Sequence, residues 1–308
     1  MTLSLLLALV PIALLIALGT WLRHSQFVAD AFWPQAERLG YYVLLPALFV
    51  HGLATAKLDG VPVLGMALAL VSSTVLVAVL LVLSRRCFGV GDAAFTSVFQ
   101  GGVRFNNYVG VSAAAGLFGA QGIALAAVAN AAIVPTVNIL CVLVFARYGS
   151  AGRMTWKGVA RQMAFNPLLV ACALGILLHV CGLGLPSGIE PLLKALGQAS
   201  LPLGLLCVGA ALDLKAARSW LRPVGLSSLA KFVVMPLITL AACHVFGLKG
   251  EAAIAALLFQ ALPTASSSYI MARQLGGDAP LMAGIIAGQT LLAAVALPLA
   301  VSSLLPWV

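Results

Sequence analysis

The sequence predicts an all-α membrane protein of ten transmembrane helices, arranged as two inverted five-helix repeats with a discontinuous helix in each. Three observations predict it: a run of charge-poor apolar stretches, an alternation of basic and nearly charge-free loops, and short motifs that recur in the same order in both halves. The 308 residues are 62% hydrophobic and 8% charged, with a mean hydropathy of +1.11, whereas a soluble domain carries roughly a quarter charged residues. A water-soluble globule is excluded, and little chain is left for an extramembrane domain.

The apolar stretches are Leu3–Leu22, Leu39–Ala56, Val61–Ser84, Ala93–Phe118, Ile123–Ala146, Met163–Leu185, Ala195–Leu212, Pro223–Leu248, Ala252–Ala272 and Ala279–Val308. Each is long enough to cross a hydrocarbon core of about 30 Å at about 1.5 Å per residue. The first contains no basic residue before Arg23, so it lacks the charged leader of a signal peptide and reads as a retained helix.

Loop charge sets the expected orientation, because Lys and Arg in short loops stay on the cytoplasmic side. The first, third, fifth and seventh loops hold eleven: Arg23, Arg38, Arg85, Arg86, Arg147, Arg153, Lys157, Arg161, Lys215, Arg218 and Arg222. The second, fourth, sixth and eighth hold three: Lys57, Lys194 and Lys249. Both termini are therefore expected on the periplasmic side of a bacterial inner membrane. The net charge of +9 is spread through these loops rather than gathered on one face, so it argues for topology and against nucleic acid. The six cysteines, with no Cys-x-x-Cys pair, read as packing residues.

An odd five-span unit repeated once is inverted by construction. The joint falls in the most basic loop, giving a first repeat over 1–150 and a second over 151–308. Leu39-Gly40 is followed thirteen residues later by Gly52, and Leu196-Gly197 at the same distance by Gly209. Phe88-Gly89 precedes the fourth span as Phe246-Gly247 precedes the ninth, and inside them Phe99-Gln100 matches Phe259-Gln260.

The fourth and ninth spans carry the chemistry. Arg104, Asn106 and Asn107 follow Gln100-Gly101-Gly102, and Pro263, Thr264, Ser266 and Ser267 follow Gln260. Both groups lie about eleven residues into their spans, roughly 16 Å deep and near the midplane. Pro263 lacks a donor and clashes with the preceding turn, while Gly101-Gly102 and Asn106-Asn107 tolerate unwinding. Broken backbone at that depth must be buried in protein or line a cavity, and paired broken helices mark the binding site of inverted-repeat carriers. Two kinked helices whose polar residues only bond across the bundle are the plainer alternative.

Arg104 is the sharpest signal, since an arginine at the midplane costs at least about 2.5 kcal/mol to insert. All eight acidic residues lie in loops or at span ends, so two roles stay open: binding backbone carbonyls freed by the opposite break, or binding substrate. Either favours an anion, because second half-helices starting near Asn107 and Thr264 would aim positive dipole ends at the crossing. Asn130, Asn138 and Gln289 are second-rank candidates. Lys231, some eight residues from a span end, is expected to snorkel or pair locally. No metal or cofactor is called for; the lack of a midplane carboxylate argues against a dedicated carboxylate proton relay, and coupling to sodium, proton or membrane potential is left open.

The motifs Arg104-Phe105-Asn106-Asn107-Tyr108, Leu262-Pro263-Thr264-Ala265-Ser266-Ser267 and Ala272-Arg273-Gln274-Leu275-Gly276-Gly277-Asp278 resemble the bacterial branch of the auxin efflux carrier family, its malonate-transporter-like members in particular. The resemblance implies a fold of the sodium/proton antiporter and bile-acid symporter kind, with a scaffold from spans 1, 2, 6 and 7 and a core from spans 3–5 and 8–10. It also implies elevator-like transport of a small organic anion such as malonate, with homodimerisation through the scaffold as in other carriers of that fold. Plant members place proline at both crossings, and Gly102-Val103-Arg104 departs from that pattern, which puts auxin itself in doubt.

Other classes fit less well. Gly276-Gly277-Asp278 lacks the glycine of a membrane aspartyl protease at position 275, which is Leu, and no second intramembrane acid pairs with it. Ser266 to Ser268 lack a nucleophile elbow, so no enzyme is expected. A channel or membrane receptor for a small solute is the remaining alternative, since broken helices also line pores.

Overall fold

A computed structural model of the chain describes residues 2–55, 62–149, 161, 164–165, 167–212, 221–265 and 267–304. Among the described residues every regular element is helical and there is no strand. In chain order they are α1 (Thr2–His24), α2 (Phe32–Leu39), α3 (Leu45–Ala54), α4 (Val63–Leu83), α5 (Arg85–Phe88), α6 (Asp92–Val103), α7 (Asn107–Tyr148), α8 (Pro167–Val180), α9 (Glu190–Ala210), α10 (Leu221–Leu229), α11 (Met235–Val245), α12 (Gly250–Gln260), α13 (Ser267–Leu275) and α14 (Ala279–Leu304). Five helical runs are long and apolar enough to cross a membrane: Val63–Leu83, Asp92–Tyr148, Glu190–Ala210, Leu221–Val245 and Ala279–Ala300. Val10–His24, Pro167–Val180 and Gly250–Gln260 are apolar but shorter.

Several boundaries differ from the sequence expectation for identifiable reasons. The second apolar stretch begins its helix at Phe32, upstream of the charged Glu37 and Arg38, and passes from α2 into α3 through a π turn at Gly40–Leu44. The sixth stops at Val180 rather than Leu185, where Gly182 and Gly184 take left-handed conformations with φ of 64° and 62°. The long run α7 is two helices, 107–118 and 120–148, separated by Gly119 at φ 58° and ψ −133°. Only glycine adopts that conformation without steric cost.

The chain forms two compact units. The first comprises Met1–Val61, Asn107–Ala131 and Gln162–Ala211. Its helices approach closely through small residues, as apolar helices do when no hydrophobic force separates them from lipid. A Cβ on Gly209 would fall 1.9 Å from the Ile16 carbonyl oxygen, and one on Gly19 would fall 2.1 Å from that of Leu206, so α1 and α9 cross nearly backbone to backbone. The Thr20 hydroxyl donates to the Gly209 carbonyl at 2.8 Å and Arg23 Nη1 to that of Ala210 at 2.5 Å. Gly204 opens the space filled by the Tyr108 ring, and Gly175 lets α8 rest on Phe49 and Leu53.

The second unit comprises Pro62–Asn106, Ala132–Arg161 and Leu212–Val308. Here α6 packs against α4, α10 and α14, and α4 packs against α11. Helix α10 runs into α11 through a second π turn, Ala230–Val234. Outside the apolar interior, Arg85 pairs with Asp92 and lies over the Tyr148 ring at 4.7 Å. Asp278 caps α14: its Oδ1 accepts from the Leu281 N–H at 3.0 Å and its carbonyl accepts from Ser97 Oγ at 2.7 Å. That is a helix-terminus role.

Candidate functional site: two helix breaks joined in the second unit

The fourth apolar stretch leaves helical geometry after Val103 and re-enters it at Asn107. Arg104 closes α6 in an extended conformation, φ −78° and ψ 160°, its N–H still donating to the Gln100 carbonyl at 2.8 Å. The ninth stretch leaves after Gln260 and re-enters at Ser267. The second half-helix of the ninth stretch therefore begins three residues later than the expected start at Thr264. Ser266 lies outside the described residues.

The glycines do not make the first break. Gly101 and Gly102 stay helical, and their missing side chains serve packing instead. A Cβ on Gly101 would lie 2.1 Å from Ser227 Oγ and 2.6 Å from Ile285 Cγ2, and one on Gly102 2.6 Å from Leu81 Cδ1. The break falls at Arg104–Asn106, one turn after the pair.

Within this unit the two breaks are bonded to each other. The Asn106 N–H donates to the Pro263 carbonyl at 2.8 Å, a main-chain bond between two non-helical segments. The Phe105 and Phe259 rings meet edge to face with centroids 5.8 Å apart. Gln289 of α14 joins both sides. Its Oε1 accepts from the Thr264 N–H, and its Nε2 donates to the Gly101 carbonyl and to Ser227 Oγ, each at 3.0 Å. Backbone groups freed by a break must find partners when no water is at hand, and a fully buried glutamine supplies them here.

Arg104, partly buried, is held by neutral acceptors. Nη1 donates to Asn138 Oδ1 at 3.1 Å and contacts Met271 Sδ at 3.5 Å, and Nη2 donates to Ser267 Oγ at 3.3 Å. Among the described residues Asp30, Glu190 and Asp92 pair with Arg23, His51 and Arg85 respectively. None of these pairs includes Arg104.

The remaining predicted residues fall as follows. Gln260, fully buried, donates from Nε2 to the Leu70 carbonyl, Ser73 Oγ and Thr74 Oγ1, tying α12 to α4. Gln100, also fully buried, contacts Met282 Sδ at 3.8 Å. Thr264 Oγ1 and Ser268 Oγ are 3.2 Å apart. Thus Arg104, Asn106, Pro263, Thr264, Ser267, Asn138 and Gln289 are brought together around the breaks. Asn107 opens the 107–118 helix in the first unit, where Asn130 donates to the Ala126 carbonyl of its own helix at 2.8 Å.

Sequence reasoning missed Ser227 and Met271, which have no motif around them; only the fold brings them to Gln289 and Arg104. It also misjudged Lys231. Instead of snorkelling, Lys231 sits in the second π turn with no exposure, and its Nζ has no hydrogen-bond partner among the described residues. A recess of about 310 Å³ lies nearby, between Val77–Phe88 and Leu226–Val234, but its lining is aliphatic and aromatic apart from Ser84. It offers no polar group to fix a charged ligand.

A chain whose described elements are all helical, with five runs long enough to span and two breaks around a partly buried arginine, belongs to the class of multi-pass membrane proteins. Residues 152–301 match the model of a family described as "Membrane transport protein". The chain is also 27% identical over 169 residues to a Rhizobium meliloti (strain 1021) protein named "Putative malonate transporter", an alignment covering 50% of this chain and 53% of the relative. The chain thus spans about half the length of the curated relative it matches. Residues 152–301 are thus similar to the membrane transport protein family, in line with the resemblance of the motifs to auxin efflux carriers. Both comparisons point to a transporter rather than an enzyme.

Proposed function

We propose that this chain is a secondary transporter of a small organic anion, a carboxylate such as malonate. The observation that carries the reading is Arg104, a guanidinium beside two unwound segments whose described contacts, the side chains of Asn138, Ser267 and Met271 and the buried Cys141 thiol, include no carboxylate. Its charge is not neutralised by any described carboxylate, and a partly buried cation without a counter-charge favours binding an anion. The half-helix that opens at Ser267 would add donors, and Ser267 already lies within reach of the guanidinium. The relative's name assigns malonate transport to that protein, which makes malonate the first candidate here.

The same proposal includes a ten-helix 5+5 inverted repeat of the sodium/proton antiporter and bile-acid symporter kind, with both termini periplasmic in the inner membrane. Two pairs of recurring motifs support the repeat. Gly89 and Gly247 each follow a phenylalanine in a left-handed conformation with φ of 63°. Phe99-Gln100 and Phe259-Gln260 are both wholly buried in the helix that leads into a break. In this reading a core carrying the breaks moves against a scaffold from spans 1, 2, 6 and 7, elevator-like, and the scaffold pairs with a second copy.

The test is thermal stabilisation of the purified protein by a panel of mono- and dicarboxylates, with and without sodium. A ligand at a hundred times its Kd stabilises the native state by about 2.7 kcal/mol. The expected result is a shift with a carboxylate that disappears in Arg104→Ala. A shift with neutral or cationic solutes alone would return Arg104 to a structural role and overturn the anion reading.

A further inference from the structure

Lys231 is a second cation in the same unit as Arg104, and nothing in the reading above uses it. Its place along α6 follows from its neighbours in sequence. Ser227, one turn before it, lies against Gly101, and Ala230, the residue before it, lies against Gly102. Lys231 therefore sits beside the last turn of α6, at the level of the break that Arg104 opens. Its side chain is wholly buried and its Nζ finds no acceptor among the described residues.

The surroundings supply no counter-charge. The π turn that carries Lys231 packs against α4, α6, α10, α11 and α14. Helices α4 and α14 carry no charged residue. The titratable and charged groups on the others are Asp92 of α6, Arg222 of α10, and His244 and Cys243 of α11. Asp92, Arg222 and His244 lie at helix ends and are exposed, and Asp92 is already paired with Arg85. Cys243 is a buried free thiol twelve positions along the chain from Lys231. Arg104, the residue after α6, adds a like charge. An ammonium enclosed in this way has lost its hydration without gaining a partner, and the balance changes when a negative charge arrives at the break. π turns inside helices are frequent at functional positions, and intramembrane ionisable residues are functional by default.

We propose that Lys231 is the proton-coupling group of the carrier: its ε-amine takes up one proton as the anion binds at the Arg104 break and gives it back when the anion leaves. The proton comes from water on the side where the anion enters and passes to water on the side where it departs. An amine becomes an ammonium and reverts, with no other bond made or broken. Anion and proton then travel together, one for one, without the carboxylate relay the chain lacks at this depth. The inference rests on the anion-carrier reading.

The experiment is calorimetric titration of malonate into the purified full-length protein in two buffers of different ionisation enthalpy, which yields protons taken up per anion bound. Wild type is expected to take up close to one proton per malonate, and Lys231→Gln and Lys231→Met close to none, whatever their affinities. A structural lysine would leave the proton count unmoved by either substitution, and that result overturns the proposal. Binding of malonate by wild type without proton uptake also overturns it while leaving the anion reading in place. The absence of malonate binding in wild type, together with stabilisation only by neutral or cationic solutes, removes both. Where one variant fails to fold, the other and the wild-type count still decide. In proteoliposomes, malonate entry through wild type should change internal pH in proportion to the anion moved, and a wild-type ratio in either lysine variant would sink the assignment.

Discussion

Replacing Gln289 with leucine tests the claim that one buried amide holds the two breaks together. Leucine keeps much of the volume and removes three hydrogen bonds: from the Thr264 N–H, to the Gly101 carbonyl and to Ser227 Oγ. The Thr264 N–H and the Gly101 carbonyl are the groups that matter, because both are buried main-chain atoms. Leaving such a group without a partner costs about 1–3 kcal/mol, whereas side-chain bonds between membrane helices average about 0.6 kcal/mol. Ser227 loses one donor and its hydroxyl can turn to another. The expected loss for Gln289→Leu is therefore about 3 kcal/mol, dominated by the two orphaned backbone groups. Ser227→Ala, which removes one of the three bonds, should lose about 1 kcal/mol or less. The assay is unfolding of the purified variants in detergent, by heat and by denaturant. At about 2–4 °C per kcal/mol for a chain of 150 to 250 residues, Gln289→Leu should melt several degrees below wild type and well below Ser227→Ala. If it melts within a degree of wild type, or if the two variants lose the same amount, the bridge is not what satisfies the breaks.

Gly209→Ala places a methyl 1.9 Å from the Ile16 carbonyl oxygen, a backbone atom that cannot move without parting α1 from α9. Overpacking of this kind costs about 1–3 kcal/mol, so reduced accumulation in the membrane and a lowered melting temperature are expected. Gly225→Ala, where no atom lies within 4 Å of the new Cβ, should be neutral or slightly stabilising, since alanine is the better helix former; equal losses in the two variants would disprove the close crossing. Single cysteines introduced as Arg86→Cys and Lys249→Cys, both at exposed positions, in a background without the six native cysteines, should react with impermeant reagents from opposite faces of the membrane. Labelling of both from one side would break the proposed topology.

The sequence carried more of this protein than its small polar content suggests. Solvent is the reason. Apolar composition dictates a lipid-facing helical chain because a helix satisfies its own backbone hydrogen bonds there, and each stretch is long enough to span as one. Pro263 and the Arg104–Asn107 cluster marked the breaks because a missing donor, a midplane charge and poor helix formers are local properties, readable one residue at a time. Local chemistry could not assign the partners. Gln289 looked like one of several intramembrane amides until the fold set it between Thr264 and Gly101, about 25 and 188 positions away along the chain. Gly101-Gly102 read, with Asn106-Asn107, as residues that tolerate unwinding, yet helix packing against Ser227, Ile285 and Leu81 keeps the glycines wound. Lys231 looked free to reach the interface because its distance from a span end was judged along the helix, whereas α4, α6 and α14 decide whether the side chain has a way out. Which residues are chemically unusual was thus set by the sequence; which of them meet, and which are left without a counter-charge, was decided only where distant helices pack, since burial and partnership belong to the neighbours a side chain acquires and not to the residue alone.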